Sequence, residues 1–158
     1  MKNHMNGKHS NKHYAHLLIM AVLSFISMYI LMYAMVDRLE NVYPNFNQFY
    51  MAGLMAAPMV VIELIVMRSM YENKKLNTII VGVSVIVAIT FFMFIRQQAG
   101  VSDQQFLKSM IPHHAAAILI CEQAPLQNTG ISELCKGIVS NQQAEIDQMK
   151  ALLTKLED

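Results

Sequence analysis

Two stretches decide the fold: MIPHHAAAILIC at Met110–Cys121 and CKGIVSNQQAEIDQM at Cys135–Met149. Both read as helices. Between them Pro125 and the run Gln127-Asn128-Thr129-Gly130 mark a turn, so the two helices form a hairpin. On the first helix, Met110, His114 and Cys121 share one face. On the second, Cys135, Gln142 and Met149 recur every seven residues and form a seam. A fold about Asn128 sets Cys121 level with Cys135, and His114 level with Gln142. Ser102 or Asp103 is a good N-cap for the first helix, which is expected to run to about Ala124. The second is expected from Ile131 or Ser132 to about Leu156. Pro112, one residue before the histidines, removes a helical hydrogen bond and frees a carbonyl nearby.

Thioether, imidazole and thiolate together suit Cu(I) or a similarly soft ion. The plainer alternative is a bundle core, because Met and free Cys are ordinary core residues. Two adjacent imidazoles, His113 and His114, are an unusual demand for a core. The cysteines have two readings, an oxidised pair or two metal ligands, and both require adjacency.

Upstream of the hairpin the chain is too apolar for an ordinary soluble domain: 54% of its 158 residues are hydrophobic. Three long runs hold most of them, at 14–36, 49–70 and 76–95. Each approaches the ~20 residues that cross a bilayer core. The first has no small-residue cleavage site before Asp37-Arg38 and reads as a retained anchor rather than a signal peptide. The third, with only Ser84 and Thr90 as polar groups past Asn77 and Thr78 at its start, reads as a plain anchor.

Basic residues near the spans set the orientation. Lys2, Lys8 and Lys12 precede the first span, and Arg68, Lys74 and Lys75 sit between the second and third. The first loop carries only Arg38, and Arg96 alone follows the third span. The N-terminus is therefore expected in the cytoplasm of a multi-pass inner-membrane protein. The hairpin at 97–158 is expected to face a periplasm or extracellular space, where disulfides can form. Residues 1–96 carry 8 basic and 4 acidic groups, and 97–158 carry 4 and 7. No basic stripe with aromatic platforms exists, so nucleic acid is not an expected partner.

The tail at 1–13 is His-rich. His9, His13 and His16 fall on one helical face, a weak metal-binding pattern beside the alternative of a solvated tail. Met51, Met55 and Met59 step by four along the second span, with Glu63 on the same side and Pro58 inside the helix. An ionisable residue at membrane depth suggests function. Met55, Met59 and Glu63 are weaker metal candidates for that reason. The alternative is a Glu63 hydrogen-bonded to Ser24, Ser27 or Tyr29 of the first span as interhelical glue.

The motif Met-Ile-Pro-His-His with an Ala-rich turn, followed by Gln-Gln-x-Glu-Ile-Asp-x-Met, resembles the family called domain of unknown function 305. The resemblance covers roughly Phe106–Leu153, and Met110, His113, His114, Glu145 and Met149 match its motif. It implies a ferritin-like helical bundle and a link to copper. The His-rich tail and Met-rich spans resemble the membrane-anchored branch of that family. Cys121 and Cys135 lie outside the matched motif, and their ligand role rests on spacing. Longer family members carry two such hairpins where this chain has one. A two-fold homodimer would complete four helices.

The expected fold is all-α: three transmembrane helices, then an outward two-helix hairpin that is half of a ferritin-like four-helix bundle. The expected function is soft-metal binding, copper or silver, in metal tolerance or trafficking. The competing reading is a membrane-anchored structural bundle with no metal role. No enzyme is expected: there is no Ser-His-Asp set or phosphate loop, and too few Glu-x-x-His pairs for a di-iron centre. The orientation has a direct check. A reporter fused after Asp158 should be active only in the version that requires export; activity of a cytoplasm-dependent reporter would reverse the topology.

Overall fold

The computed structural model describes residues 2–157, with side chains from Lys12 onward. The described residues form five α-helices and no strand: α1 (Lys2–Leu31), α2 (Phe46–Val66), α3 (Lys74–Gln97), α4 (Asp103–Gln123) and α5 (Thr129–Glu157). Two short 3₁₀ turns, Met32–Met35 and Leu39–Asn41, lie between α1 and α2. Three stretches are long and apolar enough to cross a membrane: Lys12–Met35, Phe46–Val66 and Lys74–Gln97. Helix α1 starts at Lys2 without a break, so the polar tail continues the first span as helix rather than standing apart.

Local chemistry sets the helix ends. Asn45 Oδ1 accepts from Gln48 N at 3.0 Å at the start of α2. Asn73 Oδ1 accepts from Leu76 N at 3.0 Å at the start of α3. Gln98 adopts a left-handed φ of 51° and donates its N–H to Phe94 O, closing α3. Ser102 caps α4 by accepting from Gln105 N at 3.3 Å. Ala124 is extended before Pro125, as the residue preceding proline must be, and α4 stops there. Asn128 Oδ1 then accepts from Ile131 N at 3.1 Å, so α5 begins at Thr129, two residues earlier than expected. These bonds satisfy backbone groups that helix termini leave unpaired.

The chain divides into two units. One joins the residues up to Leu31 with Phe49–Ala99. Here α2 buries its small residues, Ala52, Gly53, Ala56 and Ala57, as close packing inside a membrane requires. The Phe91 ring lies directly against Gly53. Phe25, Phe49 and Phe91 follow edge to face, with centroids 5.0 and 6.1 Å apart. Tyr50 donates to Ala99 O at 2.8 Å. Large aliphatic side chains such as Leu18, Ile65 and Ile86 point outward, suited to lipid. At the opposite end Tyr14 donates to Asn77 Oδ1 at 2.7 Å, and Asn77 Nδ2 donates to Tyr71 O at 2.8 Å.

The other unit joins Met32–Gln48 with the residues from Gly100 on. Its core is the hairpin seam: Leu107, Ile111, Ala115 and Ile118 of α4 against Ile146, Met149 and Leu153 of α5. The loop at 32–48 joins it, with Val36 and Tyr43 packed on that cluster. Gln105 Oε1 also accepts from Phe46 N at 3.0 Å. This loop contact was not legible from periodicity, because a single apolar side chain and a single aromatic one in an irregular segment carry no repeat.

Gly53 gives a sharp test of the span packing. Gly53→Leu drives its side chain into Phe91 and should destabilise the protein by about 1–3 kcal/mol, read as a lower melting temperature in detergent. Gly82→Ala, where a Cβ meets nothing within 4 Å, should leave melting unchanged or slightly higher.

Candidate metal centre

Helix α4 carries Met110 and His114 one turn apart, and α5 carries Glu145 and Met149 one turn apart. The two pairs face each other along the seam. His114 is buried, at 8% exposure. Its Nε2 lies 2.6 Å from Glu145 Oε2, and its Nδ1 lies 2.9 Å from the carbonyl of Met110. Met149 belongs to the buried cluster, and Met110 packs against it.

The expected register is one turn off at this point: His114 meets Glu145, not Gln142. Helical side chains lean toward their own N-terminus. In an antiparallel pair, His114 therefore leans toward the C-terminal end of α5, and Glu145 leans back to meet it. The cysteines keep the expected level, with Cα atoms 5.2 Å apart.

The two contacts fix where protons lie. A carbonyl only accepts, so Nδ1 carries a hydrogen. Nε2 then faces a carboxylate oxygen, and one proton sits between them, on the ring or on the carboxyl. The Nδ1 contact to the helix backbone fixes the ring plane and aims Nε2 at the carboxylate. Metal-binding histidines have one nitrogen tied down in this way, and Nε2 would ligate by releasing the proton it shares with Glu145. The Glu145 side chain is 56% exposed, which leaves its far edge open.

The structure places the other expected residues less tightly. Cys121 and Cys135 form a disulfide, the oxidised of their two readings, so in this state neither offers a thiolate. A depression of about 440 Å³ beside it is lined by Leu126, Lys136 and Val139 among others. His113 is exposed, its ring centroid 6.1 Å from that of His114. Among the described residues no group of three or more His, Cys, Asp or Glu stands together as a metal site. The pair His114–Glu145 plus two thioethers is the richest donor set in the hairpin.

In the spans, Met51 and Met55 face outward, so the Met stripe of α2 lines no enclosed path. His16 and Met59 do lie together, in an open groove of about 530 Å³ with Met20 and Met28. Ser24 donates to the Met20 sulfur there at 3.4 Å. The side chain of His9 lies outside the described residues, and His13 is half-buried. Glu63 takes its hydrogen bond from Tyr71 of the α2–α3 loop at 3.4 Å, not from Ser24, Ser27 or Tyr29. Burial, and then the Glu63 carboxylate, raise the Tyr71 hydroxyl above the ordinary phenol range. The bond ties α2 to its own following loop and does not join it to the first span as expected.

The pattern described as Domain of unknown function (DUF305) matches residues 94–153. An uncharacterized protein of Acanthamoeba polyphaga mimivirus is 32% identical over 140 residues, which cover 87% of this chain and 90% of that protein. The chain belongs to the DUF305 family. The match extends over most of both chains, beyond the hairpin region alone. No solved structure matches. The family match takes in Met110, His113, His114, Glu145 and Met149, together with both cysteines.

The disulfide of this family member closes a loop with a sequence separation of 14. Cross-linking such a loop restricts the unfolded chain and stabilises by about 3 kcal/mol. Replacing both cysteines with Ala should therefore speed hydrogen exchange of α4 and α5 amides near the turn. Exchange there at the wild-type rate would mean the thiols are reduced in solution.

Proposed function

We propose that this protein is an integral membrane protein that binds a soft metal ion, copper(I) or silver(I), through its helical hairpin. It would serve metal tolerance or trafficking. The observation that carries the reading is the His114 ring, tied at Nδ1 to the Met110 carbonyl and aimed at Nε2 toward Glu145. With Met110 and Met149 on the same seam, the donors are one imidazole, one carboxylate and two thioethers. Thioether and imidazole donors favour Cu(I) or Ag(I), and a single carboxylate is too little for Mg²⁺ or Ca²⁺, which want several oxygens. The cysteine pair leaves the ligand set and becomes a clasp at the turn.

The membrane half anchors this module. In this reading the N-terminus lies in the cytoplasm and the hairpin outside, where the disulfide would survive. The protein is a binding protein in this account and not an enzyme.

The experiment is silver(I) titration of the full chain in detergent. His114→Ala should weaken binding about 10- to 100-fold. Helix content should hold, since Ala is a strong helix former. Mg²⁺ should bind neither form. If His114→Ala takes silver as tightly as the wild type, the His114–Glu145 pair only fixes the register of the hairpin, and the structural reading replaces this one.

A further inference from the structure

The hairpin has a second apolar face. On α4, Phe106, Met110, His113, Ala117 and Ile120 recur at steps of three and four. At 3.6 residues per turn this stripe lies roughly 135° around the helix from the buried row Leu107, Ile111, Ala115 and Ile118. On α5, Leu134, Ile138, Glu145, Leu152 and Leu156 form a stripe roughly 85° from the row that packs on α4. Because the helices run antiparallel, both rotations turn toward the same side of the hairpin. Phe106, Ile120, Leu134, Leu152 and Leu156 are all exposed there. Two separate apolar faces on each of its helices are what a four-helix bundle requires.

We propose that a second copy of this chain covers this face, and that the metal site is shared between the copies. A two-fold axis along the hairpin sets the α4 stripe of one copy against the α5 stripe of the other, antiparallel. Each stripe contains one ionisable side chain, His113 on α4 and Glu145 on α5. Carrying the register of the hairpin across the axis sets His113 beside Glu145 of the partner, an imidazole against a carboxylate. Glu145 then stands between His114 of its own chain and His113 of the other. That explains the adjacent histidines: His114 faces inward within the hairpin, and His113 faces the second copy. It also completes a donor set that one chain leaves at two ionisable ligands. Met110 and Met149 lie on the edges of the two helices that turn toward the bundle axis. This inference rests on the hairpin being a soft-metal site, and it names what completes that site.

The test uses the full-length chain in detergent, silver(I) as the probe, and mass by light scattering. The wild type should be a dimer holding two silver ions. His113→Ala should stay dimeric and lose about tenfold or more in silver affinity. Leu152→Lys, which changes an exposed stripe residue and no ligand, should become monomeric and lose affinity similarly. A monomeric wild type, or a monomeric Leu152→Lys with full affinity, or His113→Ala binding like the wild type, overturns the shared site. A dimer that takes up no silver overturns the metal reading instead. If Leu152→Lys does not fold, separately tagged Phe106→Cys and Leu152→Cys chains decide the docking. They should cross-link to each other when mixed, and absence of a mixed-tag product overturns it.

Discussion

The contact between His114 Nε2 and Glu145 Oε2 holds the candidate site together, and it exists only at one register of α4 on α5. A slip of one residue would carry Ile111, Ile118, Ile146 and Leu153 off the seam along with the histidine. Apolar burial therefore sets the register, and the polar pair reports it. The disulfide pins the same register at the turn. A buried imidazole without partners would cost several times what a satisfied one does. Both nitrogens of His114 have partners, so the seam accepts the ring.

The spans and the hairpin solve different problems. Among the apolar helices long enough to cross a membrane, small residues and a close ring contact at Gly53 set the packing. Polar groups gather at the end where Tyr14, Tyr71, Glu63 and Asn77 satisfy one another. The hairpin is amphipathic, and it carries the donors. The thioether groove along α1 is open rather than enclosed, so the donor set of the account stays in the hairpin.

Much of this was legible in the sequence, and the reasons differ by element. The spans follow from length and hydropathy alone. The hairpin and the level of Cys121 with Cys135 follow from the turn residues and helical period. The partner of His114 did not follow, because a level drawn between Cα atoms ignores the lean of side chains along each helix. The partner of Glu63 was missed because loops have no period to count: Tyr71 reaches back eight residues. The packing of Val36 and Tyr43 on the hairpin was hidden for the same reason. The second stripe of α4 is visible in the sequence once the first is known to be occupied. Only the structure shows which face α5 takes.

The ligand set is the central claim, and X-ray absorption at the copper edge reads it directly. The full chain, loaded with Cu(I) and with the disulfide intact, should show a first shell of mixed light and sulfur scatterers, from imidazole and carboxylate beside thioether. His114→Ala should weaken the light-atom imidazole signature. A shell of sulfur alone, unchanged by that substitution, would place the ion on methionine thioethers without His114 and contradict this ligand set.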